Sequence, residues 1–513
     1  MFVQLYESSL GLALRYYTNQ AYDAVASILG QIERLGIGYT REFIRDPKLM
    51  IQTMTADARR NENGLSVISL GYLGGNYAVI TPKSQDQLIQ LLDLFDNEES
   101  GRKGHASFKF FSGNDFFIIS DIGHDAITLR KDLSRFLTPS RLAQPLITSI
   151  DSTMDGAGEI QLRHSICDIV RTVLLGGILG VEQLPEETYD LMESYRNDVK
   201  RWGAFPFPEL LSLMPGLRQK REVYRAFSNG ILEQEFEKLV EILHSDDNPG
   251  NANLIAASVV SLYKDEHPDL EDSQLIPALR SLSVDEIKRY FENPVVQSLP
   301  MLLKAADNLT DAIVLCLEQI ALDSDKLDIL RDEIEQSNLM NKEHLDIRSI
   351  KSLPVLNAFY KESVRFDAPV AVPRYTSNGY ISDSMNIPPN TMIIFDLNAL
   401  TKGEQYWENP GEFDPSRFLP GKFSSEEECD ERPANRTLGK FPFVPFSVGK
   451  RNCPAFAVTE VLFKVAVAKF VLDYNLELVT KDDHDTTIHV TSREASYQSS
   501  NCPQHLSERV FGF

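Results

Sequence analysis

One cysteine near the end of the chain lies in a short segment with glycine and arginine, directly before an apolar stretch. The segment reads Phe446-Ser-Val-Gly449-Lys-Arg451-Asn-Cys453-Pro-Ala455. A thiol beside an arginine at the start of a helix is favoured as the thiolate, because the cation and the helix dipole both stabilise negative charge. A thiolate is a strong ligand for soft metals. The segment therefore predicts a thiolate ligand site at Cys453.

The neighbours of this cysteine suit a flat ligand. Gly449 permits a tight turn and a close approach of the backbone, and Pro454 is suited to the first position of the following helix. The small side chain of Ala455 leaves room beside a planar macrocycle. A lone intracellular cysteine is more often a small buried apolar residue. The spacing of the whole segment, rather than the cysteine alone, supports a ligand role.

The segment resembles the haem-binding signature of the cytochrome P450 superfamily, Phe-x-x-Gly-x-Arg-x-Cys-x-Gly, with Ala455 in place of the last glycine. This resemblance implies that the cofactor is heme b and that Cys453 binds its iron axially. It also implies that Phe446, Gly449 and Arg451 are cofactor-binding residues.

Two further motifs support the resemblance. Glu362 and Arg365 have the spacing that places a carboxylate and a guanidinium on one face of a helix, and Arg417 follows in Phe413-Asp-Pro-Ser-Arg417. Taken alone, such a pair is most often a solvated surface pair. The resemblance implies instead that the three form a buried network that supports the cysteine segment, with a structural and not a catalytic role.

A haem also needs cations for its two propionates. The resemblance implies that Arg130, Arg374 and Arg451 provide them. Two propionate partners of the family are missing, because Ala126 stands where the family has tryptophan and Thr401 where it commonly has histidine.

A mostly apolar stretch from Pro300 to Glu318 carries polar side chains at helical spacing. It resembles the central helix of the family, in which an acid and a threonine handle protons on the distal side of the haem. The favoured alignment puts Asp307 at the acid and Asn308 at the threonine, and both are candidate catalytic residues. A shift by one residue puts Asn308 and Leu309 there instead. The hydroxyl is absent in both alignments.

This departure leaves three hypotheses open, because asparagine holds water but does not act as an acid at neutral pH. The favoured one is a monooxygenase that inserts one oxygen atom of O2 into an apolar organic substrate, with Asp307, a substrate hydroxyl or water held by Asn308 replacing the threonine. The second is a haem-thiolate isomerase or dehydratase that acts on a peroxide without external electrons. The third is a haem sensor without turnover.

Composition restricts the partners. The chain has 51 basic and 74 acidic residues and a net charge of −23, which argues against nucleic acid. No flavin or nicotinamide fingerprint is present, so electrons are expected from a separate redox partner, a flavodoxin, ferredoxin or reductase. Its predicted docking surface contains a cluster of basic residues, Arg130, Lys131, Arg135 and Arg141. The five scattered cysteines favour a reducing compartment over a disulfide framework.

The surrounding sequence predicts a mainly α fold, the cytochrome P450 fold, with a large helical body and a smaller β-rich region. Helical patterns dominate from Pro139 to Asp346, while Ser66–Ile80 reads as two short strands around a Gly-Gly turn and Met392–Phe395 as another strand. Aromatic residues in 100–120 and 200–215 are candidates for an apolar substrate pocket, although core packing explains them equally well.

No linker, charge block or repeat divides the sequence, so one domain is expected over residues 1–513, with an N-terminal helical segment at 1–40. The N-terminal apolar stretch is much shorter than the roughly 20 residues that span a bilayer. We therefore expect no integral membrane anchor and a cytoplasmic protein, with peripheral membrane contact still open.

Overall fold

Helices form most of the part of the chain that the computed structural model describes. This part comprises residues 47–69, 76–96, 137, 139–156, 158–180, 191, 194, 198, 211, 214–245, 248–293, 296, 306–337, 340–341, 344–345, 347–367, 371–382, 385–420, 443–448, 452–453, 455–481 and 486–493.

The α-helices of the described residues are α1 (Pro47–Arg60), α2 (Gln85–Asp96), α3 (Pro139–Met154), α4 (Leu162–Leu179), α5 (Pro215–His244), α6 (Leu254–Glu266), α7 (Asp272–Arg280), α8 (Val284–Phe291), α9 (Ala306–Leu322), α10 (Ser324–Gln336), α11 (Ile347–Ser352), α12 (Pro354–Phe366), α13 (Asn398–Thr401) and α14 (Phe456–Asp473). Short 3-10 turns lie at Pro249–Asn251 and Pro415–Phe418.

The strands of the described residues are β1 (Leu65–Ser69), β2 (Asn76–Ile80), β3 (Glu159–Gln161), β4 (Met340–Asn341), β5 (His344–Leu345), β6 (Ala371–Thr376), β7 (Tyr380–Ile381), β8 (Asn386–Ile387), β9 (Thr391–Asp396), β10 (Tyr474–Lys481) and β11 (Thr486–Ser492). One sheet has the order β1-β2-β9-β6 and another the order β10-β11-β3, while β4 pairs with β5 and β7 with β8.

The helical core is built around α9 and α14. Helix α9 packs against α4, α12 and α14, and α14 also packs against α3. Helix α14 is apolar on nearly its whole circumference, and side chains such as Phe463, Val467 and Phe470 are fully buried. A helix with this pattern is stable only inside a core. The residues before α14 are thereby attached to the most buried element of this core.

A second core lies against the four-stranded sheet. All six residues of β9 are buried, since β9 pairs in parallel with β2 on one side and antiparallel with β6 on the other. Phe95 of α2 packs against Phe395 of β9, with ring centroids 6.2 Å apart. A continuous run of branched and aromatic residues is typical of such a central strand.

The predicted helical body and small β-rich region are both present. Strands β1 and β2 form an antiparallel pair that matches the pair predicted at Ser66–Ile80, with β1 beginning one residue earlier at Leu65, and β9 contains Met392–Phe395. One local prediction was wrong, because α14 begins at Phe456 with Ala455 as its N-cap, so Pro454 is not the first helical residue. None of the helices in the described residues is long and apolar enough to cross a membrane.

Candidate cofactor site

The segment that carries Cys453 folds back on itself. The Cys453 amide donates to the Phe446 carbonyl oxygen at 2.9 Å, and the Ser447 amide donates to the Val444 carbonyl oxygen at 3.0 Å. Ser447 has a φ of 58°, in the left-handed region that few non-glycine residues adopt. These contacts bring Cys453 next to Phe446, seven positions earlier in the sequence. Gly449, Lys450, Arg451 and Pro454 lie outside the described residues.

The segment before Cys453 is anchored in both cores. Val444 and Val448 are buried in the core of the four-stranded sheet. Phe446, which lies between them in the sequence, packs instead against the helical core and contacts the ring of Phe456 in α14, with centroids 6.5 Å apart. Packing on two sides restricts the loop. Cys453 is therefore presented from a fixed backbone.

Cys453 differs from the other cysteines that the structure describes. Cys167 of α4 and Cys316 of α9 are buried, whereas Cys453 is partly exposed. Burial raises the pKa of the Cys167 thiol to about 11 and that of the Cys316 thiol to about 12. Both therefore remain protonated at neutral pH and make poor metal ligands. Among the described cysteines, Cys453 alone combines access with a position before a helix, which fits a metal-bound thiolate.

Glu362 and Arg365 of α12 form a buried ion pair. Arg365 Nε lies 2.7 Å from Glu362 Oε2, and Arg365 Nη2 lies 2.7 Å from Glu362 Oε1. Both side chains are completely inaccessible to solvent. Such a bidentate contact is the strong form of a charged hydrogen bond, and its burial makes the loss of either partner costly.

Further donors and acceptors connect this pair to the region between β9 and the cysteine segment. Arg365 Nη1 donates to the carbonyl oxygens of Thr401 at 3.0 Å and Pro410 at 3.1 Å. Glu362 Oε1 accepts from the Asp414 amide at 2.8 Å and lies 3.5 Å from Arg417 Nε. The predicted association of Glu362, Arg365 and Arg417 is therefore present.

Arg417 holds the same region mainly through backbone contacts. Its Nη2 donates to the Asn409 carbonyl oxygen at 3.0 Å, and its Nη1 donates to the carbonyl oxygen of Glu408. The ring of Phe418, the next residue, packs against Trp407 with centroids 5.6 Å apart. Arg417 thus ties the Pro415–Phe418 turn to the segment that Arg365 also contacts.

The predicted propionate cations are only partly described. Arg374 is on β6, is 5% exposed, and donates from Nη1 to the Pro373 carbonyl oxygen at 2.9 Å. Thr401, at the position where the family commonly has histidine, is buried and donates from Oγ1 to the Leu397 carbonyl oxygen at 3.2 Å. Arg130 and Ala126 lie outside the described residues, as do the aromatic segments 100–120 and 200–210.

Asp307 and Asn308 are adjacent but lie in different environments. Asp307 is buried against α4, where its Oδ1 is 3.4 Å from Arg171 Nη2 and 3.9 Å from Cys167 Sγ. Asn308 is exposed. One turn further along α9, Asp311 pairs with Arg163 of α4. The two ion pairs join α9 to α4 on the side that carries Asp307.

Arg163 and Arg171 were missed by the sequence interpretation. Their signal in the sequence was weak: the two arginines lie eight residues apart on α4, and Arg171 is buried among mainly apolar side chains. That spacing places both arginines on one face. It does not reveal which helix supplies the carboxylates.

The family model for cytochrome P450 matches residues 145–499. Cytochrome P450 monooxygenase bfoB of Aspergillus brasiliensis is 33% identical over 142 residues, which cover 27% of this chain and 26% of that protein. Cytochrome P450 71B19 of Arabidopsis thaliana is 24% identical over 244 residues, which cover 47% of this chain and 44% of that protein. The matched parts thus span between 25% and 44% of the curated relatives' lengths.

Solved structures show the same fold. A zebrafish cytochrome P450 solved with abiraterone aligns with a TM-score of 0.61 at 12% identity, over 86% of this chain and 99% of that one. The cytochrome P450 CYP102L1 aligns with a TM-score of 0.57 at 14% identity, over 86% of this chain and 94% of that one. The predicted fold is confirmed, and with the family match over most of the sequence the chain belongs to the cytochrome P450 family.

Proposed function

We propose that this chain is a haem-thiolate monooxygenase that inserts one oxygen atom of O2 into a small apolar organic substrate. The second oxygen atom leaves as water, with two protons and with two electrons from a separate redox partner. The observation that carries the proposal is the position of Cys453, partly exposed in a closed loop between the two cores. A relative that matches part of the chain is named a monooxygenase, which supports the same activity.

Family membership implies a cysteine-ligated haem iron, and we propose that Cys453 is that ligand. When bound, such a haem supplies oxygen activation, because the thiolate donates electron density that favours O–O cleavage. The buried Glu362–Arg365 pair and Arg417 hold the backbone near the loop. Phe446 and Gly449 are proposed to line the cofactor. Of these two, Phe446 is described and packs beside α14.

The propionate cations are also a proposal. Arg374 fits this role, because its buried guanidinium lies on β6, the strand that follows α12, and a guanidinium forms charge-assisted hydrogen bonds with carboxylates. Arg130 and Arg451 complete the proposed set. Each would hold a propionate by a charge-assisted hydrogen bond.

For proton transfer we propose a division of work between Asp307 and Asn308. The Asn308 side chain is exposed and can orient water by accepting and donating hydrogen bonds. Asp307 faces Arg171 and α4, so it fixes the rotation of α9 and exchanges protons only when its carboxylate leaves that contact. Thr310 does not replace the family threonine, because its position lies about 200° around the helix from Asn308 and it is fully buried.

Asn308 has no hydroxyl where the family has threonine, and this also favours a second function, a haem-thiolate isomerase or dehydratase acting on a peroxide. Such a reaction rearranges an O–O bond that the substrate already contains. It needs neither external electrons nor protons delivered to bound dioxygen. The two functions share the cofactor and differ in their need for a reductant.

The two functions are separated by supplying the purified protein with a reductant and O2 or, in parallel, with a fatty-acid hydroperoxide alone. Oxygen insertion that requires reductant supports the monooxygenase. Rearrangement of the hydroperoxide without reductant supports the isomerase. Cys453→Ala should abolish the thiolate-type spectrum of the ferrous carbon monoxide complex, whereas Cys316→Ala should retain it. A thiolate-type spectrum in Cys453→Ala would refute the ligand assignment.

The redox partner is proposed to dock on the basic cluster Arg130, Lys131, Arg135 and Arg141. Of this cluster, the structure describes Arg141, which is exposed on α3. Its Nη2 donates to Asn251 Oδ1 at 3.0 Å. A basic patch on a protein of net charge −23 would attract an acidic flavodoxin or ferredoxin. Reversal of these charges should slow reduction and weaken its salt dependence. Unchanged reduction rates would contradict the assignment.

A further inference from the structure

Helix α10 caps the start of α12 with a carboxylate. Glu333 Oε1 accepts from the Val355 amide at 2.7 Å, and Glu333 Oε2 accepts from the Leu356 amide at 2.8 Å. The N-cap of α12 is Leu353, whose side chain makes no capping hydrogen bond, and no acidic residue lies in its first turn. The amides in the first turn of a helix need acceptors, and a negative charge there is favoured by the helix dipole. Glu333, from another helix, supplies both the acceptor oxygens and the negative charge.

The same helix caps the end of α14 with a guanidinium. Arg331 Nε donates to the Val471 carbonyl oxygen at 3.0 Å, and Arg331 Nη2 donates to the Tyr474 carbonyl oxygen at 3.2 Å. The last turn of α14 contains no basic residue of its own. A cation at a helix C-terminus is the favourable counterpart of an anion at an N-terminus. Two residues of opposite charge on α10 thus match the opposite ends of two helices.

A buried lysine completes the junction between these helices. Lys464 of α14 is inaccessible to solvent, and its Nζ lies 2.5 Å from Glu460 Oε1 and 3.4 Å from the carbonyl oxygen of Lys351 in α11. The same Nζ is 5.7 Å from the centre of the Tyr360 ring in α12. The positive charge of Lys464 also acts on Glu333. Four helices therefore meet at a group of charges that are satisfied by one another and by helix ends.

We infer that Arg331 and Glu333 are positioning residues that hold α12 and α14 in register for the cofactor site. Helix α12 carries Glu362 and Arg365, and α14 starts three residues after Cys453. A change in the relation of these two helices would shift the supporting ion pair relative to the ligand loop. The expected effect on the haem rests on the proposed role of Cys453. The contacts between the helices do not depend on that role.

Net stability alone does not account for Glu333. Burial raises the pKa of its carboxyl despite the two amide donors and the charge of Lys464, all of which act in the opposite direction. Partial burial of this carboxylate therefore offsets part of what the cap contributes to the free energy of unfolding. What this partly buried carboxylate does fix is the start of α12, through its two amide contacts. Substitution should therefore disturb helix position more than the free energy of unfolding.

Hydrogen exchange on the purified protein tests the positions of the helices. Glu333→Ala should make the amides at the start of α12 exchange about tenfold faster, because charge-assisted hydrogen bonds are lost. Arg331→Ala should have the same effect on the last turn of α14. Asp332→Asn removes an exposed carboxylate from the adjacent position and is the control for Glu333. Lys326→Gln, which removes a cation of α10 that pairs with the N-cap residue Asp323, is the control for Arg331.

The spectrum of the ferrous carbon monoxide complex tests the consequence for the ligand. In folded monomers, Glu333→Ala and the milder Glu333→Gln should raise the thiol-type share of the band, and Asp332→Asn should leave it unchanged. Equal exchange and equal spectra in Glu333→Ala and Asp332→Asn would overturn the inference. If the wild-type protein lacks the thiolate-type band, the proposed haem assignment is wrong, and the exchange data alone decide whether α10 positions the two helices.

Discussion

Glu362 and Arg365 face each other through two parallel hydrogen bonds of 2.7 Å at a site from which solvent is excluded. The remaining donors of Arg365 are used by backbone carbonyl oxygens of the segment 401–412. This pair therefore ties α12 to the chain that leads to the cysteine segment.

The first prediction concerns the loss of one member of this pair. Arg365→Ala or Glu362→Ala should lower the free energy of unfolding by about 3–5 kcal/mol, because an uncompensated charge remains buried. Arg365→Lys should not restore stability, since a lysine cannot make the parallel pair. Urea unfolding measures the effect, and Lys361→Gln, a charge change on the same helix, is the control. A loss of less than about 1 kcal/mol, typical of exposed pairs, would contradict the structure.

The second prediction ranks Arg417 below Arg365. Arg417 lies 3.5 Å from Glu362 and spends its other donors on two carbonyl oxygens, whereas Arg365 makes the bidentate pair. Arg417→Ala should therefore cost about 1–3 kcal/mol in the same unfolding experiment. The effects of Arg417→Ala and Glu362→Ala should be less than additive, because each removes the same contact. Full additivity would show that Arg417 acts only through the backbone.

The sequence predicted these contacts because their spacing is local or belongs to a recognisable motif. Glu362 and Arg365 are one helical turn apart, and Arg417 lies in the motif Phe413-Asp-Pro-Ser-Arg417. The loop that carries Cys453 was predicted for the same reason, from a recognisable motif. The start of α14 was not, because the N-cap is Ala455 and a helix boundary depends on local backbone geometry that the residue types only bias.

Contacts between distant helices were not predictable from one sequence. Arg171 meets Asp307 across 136 residues, and Glu333 caps α12 from a separate helix. From the local sequence, each of these side chains is an ordinary charged residue on an amphipathic helix. Their partners are decided by packing, which single-sequence patterns do not specify. Consequently, the catalytic role of Asp307 stays a prediction, and its contact with α4 was not foreseen.

The third prediction concerns thiol chemistry. If Cys453 is the proposed haem ligand, it should resist alkylation in the protein as purified and should react after the haem is extracted. Cys167 and Cys316 should remain unreactive in both states at pH 8, because burial raises the pKa values of their thiols to about 11 and about 12. Peptide mapping after alkylation measures each site, and addition of urea should expose both buried thiols. Early modification of Cys316 would contradict its burial.

The fourth prediction addresses Asn308. If Asn308 holds the water that relays protons, Asn308→Ala should divert electrons from product to hydrogen peroxide, lowering the product yield per electron by a factor of about 10 or more. Asn308→Thr, which restores a hydroxyl, should retain most of the yield. Gln319→Ala, a polar change further along α9, serves as the control. If Asn308→Ala retains the full yield, protons must come from the substrate or from Asp307.

The fifth prediction is the pH dependence that Glu333 adds to stability. Since burial raises the pKa of its carboxyl above the ordinary 4.5, the folded protein holds this proton more tightly than the unfolded chain. Between 4.5 and the raised pKa, the folded state therefore binds more protons, so stability falls as pH rises. The stabilisation from protonated Glu333 is fully present below pH 4.5 and is lost as pH passes the folded-state pKa.

Glu333→Gln removes this titration while retaining one acceptor oxygen. The free energy of unfolding of wild type minus that of Glu333→Gln should be largest at acid pH and should decline as pH rises towards neutrality. Urea unfolding over this range measures the difference, and Asp332→Asn reports what the loss of an exposed carboxylate on the same helix contributes. A difference that grows with pH would mean that the two amides and Lys464 outweigh burial. In that case Glu333 would be retained for stability rather than for the position of α12.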